Sequence, residues 1–270
     1  MVDMRYAPLG WSGIQVSKVC LGGMSFGEAS PDFHQWTIDQ DATERVIGHA
    51  IDSGVNFIDT ANCYAFGTSE TYIGRALKRL GISRDRVVLA SKVYFNEGHL
   101  SQEAINHEID GTLKRLGTDY LDLYIIHRFD YGTPIEETME ALDALVKAGK
   151  VRALGASEMY AYQFHNMQVT AEANGWTKFT SMQCHYNLLY REDEREMIPV
   201  CRQYGVALTP YSPWPPATWQ DRNGIRIPKE ASRTIRCAAN MIGAWSRICR
   251  LSGGSTKSPS ASACRWPASP

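Results

Sequence analysis

The chain lacks long apolar runs, paired-cysteine motifs and net charge, and each absence removes a class of function. No window holds the roughly eighteen uncharged apolar residues that a membrane span needs, and no basic, apolar and small-residue series marks a signal peptide. No membrane association is therefore expected, and the default location is the cytoplasm. The seven cysteines are an odd number scattered without a C-x-x-C pair, which argues against a disulfide framework and a zinc site. Reduced thiols and no metal follow. A net charge of -1 and 44% hydrophobic residues describe an ordinary soluble protein. Glycine-rich dinucleotide fingerprints after a strand, phosphate loops, H-E-x-x-H and G-x-S-x-G are all missing.

Aliphatic residues are scarce in one region only. Residues 214 to 270 hold five Ile, one Leu, no Val and no Phe, with nine Lys or Arg against two acids; residues 1 to 213 hold 19 against 27. So few aliphatics cannot offset chain entropy, so a disordered basic tail is expected from residue 214, with a domain spanning 1 to 213. The basic residues are dispersed among Ser, Pro and Trp without a run, which disfavours a nucleic-acid arm.

What is present is a repeat. The apolar run Asn56-Phe57-Ile58 ends on Asp59, and later runs of similar length end on Lys92, His127, Ser157, Gln183 and Tyr211, at spacings of 33, 35, 30, 26 and 28 residues. A period near 30, strand then amphipathic helix, is the signature of βα units in a parallel sheet. The pattern predicts a small N-terminal hairpin within Arg5 to Val16 and strands at Ser17 to Gly22, Asn56 to Asp59, Arg86 to Lys92, Tyr120 to His127, Val151 to Ser157, Thr180 to His185 and Val206 to Tyr211. Helices are expected at Asp41 to Asp52, from an N-cap at Ser69 to Leu80, at Ser101 to Leu116, Ile135 to Ala148, Ala161 to Asn174 and Glu192 to Tyr204. The fold class is an α/β barrel of the TIM (β/α)8 type, incomplete at seven recognisable strands.

In such a barrel the C-terminal strand ends share one mouth, which would bring together Asp59, Lys92 and His127, with Tyr64 just beyond. A phenol titrates at about pH 10. A neighbouring lysine ammonium is expected to lower that value, and a carboxylate beside the lysine to hold it charged, making the phenol a general acid for a carbonyl oxygen. His127 could donate to the same oxygen. Proton delivery to a carbonyl in this setting implies hydride from a nicotinamide.

These residues carry a resemblance. Gly22-Gly23-Met24-Ser25-Phe26-Gly27, Phe57-Ile58-Asp59-Thr60-Ala61, Tyr64, Ser91-Lys92, Ile126-His127-Arg128, Gly149-Lys150-Val151-Arg152, Gly155-Ala156-Ser157, Gln183 to Met197 and Tyr211-Ser212-Pro213 resemble the aldo-keto reductases, particularly the soluble broad-substrate branch related to potassium-channel β-subunits. The resemblance covers residues 5 to 213. It implies NADPH (NADP+) as cofactor, a small-molecule aldehyde or ketone as substrate, Tyr64 as acid, Lys92 and Asp59 as its tuners and His127 as the group orienting the carbonyl. It further implies that Ser157 and Gln183 hold the nicotinamide carboxamide, that Tyr211 stacks on the ring with Ser212 beside it, and that Gly22, Gly23 and Met24 lie near the ribose. Glu158 and Cys184 depart from the family's usual residues at their positions. The channel-associated relatives supply an alternative, a non-catalytic regulatory or binding subunit.

After Pro213 the family's phosphate-holding segment is not recognisable. Codons able to encode Trp214 to Asn223, read one base earlier, permit Leu-Ala-Ala-Gly-His-Leu-Ala-Arg-Pro-Glu, which the family pattern wants. A shifted reading frame is therefore the hypothesis for the tail. Gene sequencing tests it: no single-base insertion or deletion near the Pro213 codon, compared with intact relatives, sinks it. Weak cofactor affinity and little activity are expected of a chain truncated in this way.

Overall fold

The computed structural model describes residues 4–213. The expected tail lies outside the described residues. The chain opens on an antiparallel hairpin, β1 (Tyr6–Pro8) and β2 (Gln15–Ser17). There follow β3 (Cys20–Gly22), α1 (Gln40–Asp52), β4 (Phe57–Asp59), α2 (Thr68–Arg79), β5 (Val88–Val93), α3 (Gln102–Leu116), β6 (Leu121–Ile126), α4 (Ile135–Lys147), β7 (Val151–Ser157), α5 (Ala161–Asn174), β8 (Phe179–Gln183), α6 (Met197–Tyr204) and β9 (Ala207–Leu208). Strands β3 to β9 form one seven-stranded sheet in sequential order, every pair parallel. This is the incomplete (β/α) barrel with an N-terminal hairpin, curled into a half-barrel.

The period of two along each strand sorts its residues between two cores. Ile58, Leu89, Tyr124, Ile126, Leu154 and Met182 face outward and pack under the helices. Phe57, Val88, Ala90, Leu123, Ile125 and Ala153 face inward and meet Leu9 and Val16 of the hairpin. The hairpin thus plugs the interior: a Cβ at Gly10, whose φ is +58°, would lie 2.3 Å from the Thr180 carbonyl oxygen, so only glycine fits the approach. Continuing the inward set by two residues reaches Asp59, Lys92 and His127. Burial of the inner layer therefore determines that those three side chains emerge together at the open end.

Three boundaries differ from the sequence expectation. The first strand divides: Ser17 belongs to the hairpin, where its backbone N–H donates to Asn56 Oδ1 at 2.7 Å, and only Cys20–Gly22 joins the barrel. Ser69 does not cap α2. The N-cap lies two residues earlier, at Gly67 in the left-handed region, and the Ser69 hydroxyl donates instead to the Gly23 carbonyl at 2.7 Å. The last expected helix is a short 3-10 turn at Glu192–Glu194 followed by α6, and the expected last strand is reduced to two residues plus an isolated bridge between His185 and Tyr211. Ser101 caps α3 as expected, accepting from the Ala104 N–H.

Candidate active site

Strands β4, β5 and β6 are paired in register, so Asp59 sits beside Ala90 and Lys92 beside Ile125. Lys92 is fully buried, an arrangement tolerable only if its ammonium is satisfied. It is: Nζ donates to Asp59 Oδ2 at 2.5 Å, to the Thr60 carbonyl at 2.8 Å and to the Tyr64 hydroxyl at 3.2 Å. Gln183, arriving from β8, donates through Nε2 to the other Asp59 oxygen at 3.1 Å. The carboxylate thereby holds two strand ends at once.

Tyr64 stands on a strained loop. Ala65 and Phe66, just after it, have φ of 46° and 54°, a left-handed pair that non-glycine residues adopt at a cost. The loop is anchored on both sides. Thr60 and Ser69 share a 2.8 Å hydroxyl bond, Asn62 Nδ2 donates to Glu108 Oε2 at 2.8 Å, and buried Glu70 accepts from Ser91 Oγ and Arg115 Nε, each at 2.5 Å. Two helices and the back of β5 therefore hold the phenol where Lys92 can reach it.

The His127 ring packs edge-on against Tyr64, centroids 5.7 Å apart, and edge-on against Phe95 at 5.0 Å. Its Nδ1 lies 3.8 Å from the Cys63 sulfur. Burial, helped by the charges of Lys92 and Arg128, pushes the imidazole down to about 3, so it is neutral at physiological pH. Burial pushes the Cys63 thiol up to about 11, which keeps it protonated. For Lys92, burial opposes the charge, but Asp59 and Tyr64 outweigh it and the pKa is raised.

The phenol reverses one expectation. Lys92 does act to lower its pKa, yet burial is the larger influence and Asp59 adds to it, so the net direction at Tyr64 is upward. The reason is that Asp59 already compensates the ammonium, leaving a nearly neutral pair beside a desolvated hydroxyl.

The remaining sequence-derived residues stand at or after the C-terminal ends of the other strands. Ser157 at the end of β7 is buried and paired in register with Gln183. Tyr211 is 38% exposed and stacks on His185 at 5.1 Å, with Glu158 acting on its hydroxyl; burial first and that carboxylate second raise its pKa. Glu158 itself has φ of 47°. The Ser212 carbonyl accepts from Asn187 Nδ2 at 3.2 Å. Gly22 has open space where a Cβ would be, whereas Gly23 abuts Ile73, Asp59 and Ser69, and Met24 is exposed. Sequence reasoning did not find the Thr60 carbonyl on Lys92, the Gln183 bond to Asp59 or the Cys63 contact with His127. The last could have been suspected from a cysteine adjacent to Tyr64; the other two depend on strand register. Among the described residues no helix is long and apolar enough to cross a membrane, and no group of acids, histidines and cysteines could hold a metal.

Comparison with known proteins gives a matching set. "Aldo-keto reductase AMT2" of Alternaria alternata is 44% identical over 237 residues, covering 77% of this chain and 64% of that protein. "Versiconal hemiacetal acetate reductase" of Aspergillus parasiticus is 41% identical over 259 residues, covering 86% and 75%. "Putative aryl-alcohol dehydrogenase C977.14c" of Schizosaccharomyces pombe is 41% identical over 236 residues, covering 77% and 67%. The chain therefore spans just under two thirds of the length of AMT2. The model of the Aldo/keto reductase family matches residues 18–269, which runs past Pro213, where the motif resemblance ends. With a half-barrel of sequential parallel strands, a buried Asp59–Lys92 pair reaching a phenol at its mouth, and these matches, the chain belongs to the aldo/keto reductase family.

Proposed function

We propose that the chain carries the catalytic constellation of an NADPH-dependent carbonyl reductase, with Tyr64 as proton donor. The observation that carries this reading is the 3.2 Å contact between the Tyr64 hydroxyl and an ammonium whose other bonds are filled by Asp59 and a carbonyl. Residues at the opening suit a nicotinamide: an exposed aromatic face at Tyr211, a hydroxyl and an amide side by side at Ser157 and Gln183, and free space beside Gly22. When bound, that cofactor would supply the hydride. Gln183, whose N–H is engaged by Asp59, keeps its carbonyl oxygen for a carboxamide N–H, and Tyr211 would cover the ring.

The protein's own part is then proton delivery. Tyr64 stays protonated at neutral pH and gives its proton to the carbonyl oxygen as charge develops there. Lys92 steadies the phenolate left behind, and Asp59 keeps Lys92 charged. His127 Nδ1 faces the Cys63 sulfur; in the tautomer in which the thiol donates to Nδ1, the ring proton lies on Nε2 and is available to the same carbonyl oxygen. Asp59, Lys92, Tyr64 and His127 standing together favour an enzyme over a regulatory subunit, which has no use for all four. The names of the Aspergillus and Schizosaccharomyces relatives, a reductase and a putative aryl-alcohol dehydrogenase, agree with carbonyl and alcohol chemistry.

Two measurements test this. NADPH is titrated into the protein while its fluorescence is followed, and 4-nitrobenzaldehyde is then offered with NADPH. Tyr64→Phe is expected to lower the reduction rate by about 10²- to 10⁴-fold with NADPH binding retained. A Tyr64→Phe protein as active as the parent overturns the assignment. Because residues 214 to 270 lack recognisable phosphate-holding residues, the parent rate is expected to fall well below that of a full-length relative.

A further inference from the structure

We propose that Arg128, seated over Phe95, is a second recognition point of the site and binds the carboxylate of a carbonyl substrate whose aldehyde or ketone lies at Tyr64. This rests on the proton-donor reading of Tyr64. Ring contacts step outward from the phenol: Tyr64 to His127 at 5.7 Å, His127 to Phe95 at 5.0 Å, and Phe95 to the Arg128 guanidinium carbon at 5.5 Å. The guanidinium is exposed and Phe95 is 49% exposed, so this edge of the mouth presents an apolar ring ending in a cation. The charge of Arg128 also acts to lower the pKa of His127 and of Tyr211.

Among the charged groups around Tyr64 and His127, Arg128 has no carboxylate partner among the described residues. Lys92 is compensated by Asp59, and His127 is neutral. Glu158, with Asp193 near it, adds to burial in raising the Tyr211 pKa, and neither carboxylate pairs with Arg128. Arg84, Arg115 and Arg152 are each ion-paired. Among the described residues Arg45, Arg75, Arg86 and Arg202 are, like Arg128, without an ion pair, and what distinguishes Arg128 is its place over Phe95 beside His127. A guanidinium is built for two-pronged recognition of a carboxylate, and the aromatic face beneath it lowers the competition from water. Because His127 and Phe95 link Tyr64 to Arg128, the substrate class proposed is an aldehyde or ketone that also carries a carboxylate, such as a carboxyl-substituted aryl aldehyde.

The test compares 4-carboxybenzaldehyde with its methyl ester, which has the same shape without the charge. Equilibrium binding to the full chain is read by ligand-observed NMR, and kcat/KM with NADPH is measured beside it. The acid is expected to bind more tightly than the ester, and that preference to fall about ten- to hundredfold in Arg128→Gln, with partial recovery in Arg128→Lys and weakening in salt. Equal binding of acid and ester, or an unchanged preference in Arg128→Gln, overturns the proposal. The binding arm needs no turnover, so the two readings fail separately. Discrimination without reduction of either aldehyde sinks the reductase assignment and leaves Arg128 standing; reduction of both without discrimination does the reverse.

Discussion

Replacing Asp59 by Asn changes one charge and almost no volume at the point where the barrel's polar interior is most tightly balanced. The amide oxygen can still accept from Lys92, so the contacts at 2.5, 2.8 and 3.2 Å retain their partners, but the ammonium loses its counter-charge. Removing one member of a buried ion pair costs about 3–5 kcal/mol. For a folded region of this size each kcal/mol shifts the thermal midpoint by about 2–4 °C, so Asp59→Asn should melt about 6–20 °C below the parent at pH 7.

The pH dependence separates this cause from ordinary disruption. In the parent, burial opposes the Lys92 charge but Asp59 outweighs it, so the folded pKa lies above the unfolded value of about 10.4. That stabilisation is fully present below pH 10.4 and is lost only as pH rises through the folded pKa. In Asp59→Asn burial acts without its main opponent, the folded pKa drops below 10.4, and the unfolded chain binds the proton more strongly than the folded one. Stability of the variant must then rise with pH over the interval up to 10.4. Thermal unfolding followed by circular dichroism at pH 7, 8, 9 and 10 should show the gap to the parent narrowing, and Asp59→Asn/Lys92→Met should recover part of the loss at pH 7. A gap that stays constant across this range, or a midpoint within about 2 °C of the parent, refutes the charge argument.

Two further outcomes are expected. His127, held down to about 3 chiefly by burial, stays neutral in the folded chain while the unfolded chain takes up its proton below about pH 6.5. It should therefore cost stability as pH falls from about 6.5 towards 3, by up to about 1.4 kcal/mol per unit, and His127→Gln should flatten that part of the melting-temperature curve. A parent ring whose NMR signals titrate near 6.5 contradicts this. Gly74→Ala tests packing against propensity. Alanine should favour helix α2 by about 1 kcal/mol. The added Cβ would lie 2.4 Å from the Leu116 carbonyl oxygen and 2.7 Å from its carbon, so a net loss of about 1–3 kcal/mol is expected in urea unfolding. A stabilised variant shows that α2 and α3 can slide apart.

The legible part of this molecule is the part governed by period. Alternation along β4, β5 and β6 commits Phe57, Ala90 and Ile125 to the inner core, and the next inward position on each strand is Asp59, Lys92 and His127. A polar residue at the end of an apolar run, repeated every thirty residues, therefore announces a common mouth before any coordinate is known. Register and burial are not written in that period. The bond from Gln183 to Asp59 joins residues 124 apart and exists only because the sheet curls. Ser69 reads as a helix cap in isolation, yet the Gly23 carbonyl from β3's end offers its hydroxyl a better partner than the helix does.

The sign of the Tyr64 shift has the same origin. A lysine near a phenol lowers its pKa by an amount that depends on distance and on what else neutralises the lysine, whereas the cost of burying a phenolate depends on the surrounding packing alone. At 3.2 Å from an ammonium that Asp59 already satisfies, and with most of its surface covered, the phenol feels desolvation more than attraction. That balance also decides what arrangement could lower it: a charge developing on a bound carbonyl oxygen would draw on the Tyr64 hydroxyl and the ammonium behind it, so the proton is held firmly until such a charge appears. A raised phenol pKa in the empty site and a proton donor in the occupied one are two consequences of the same buried pair.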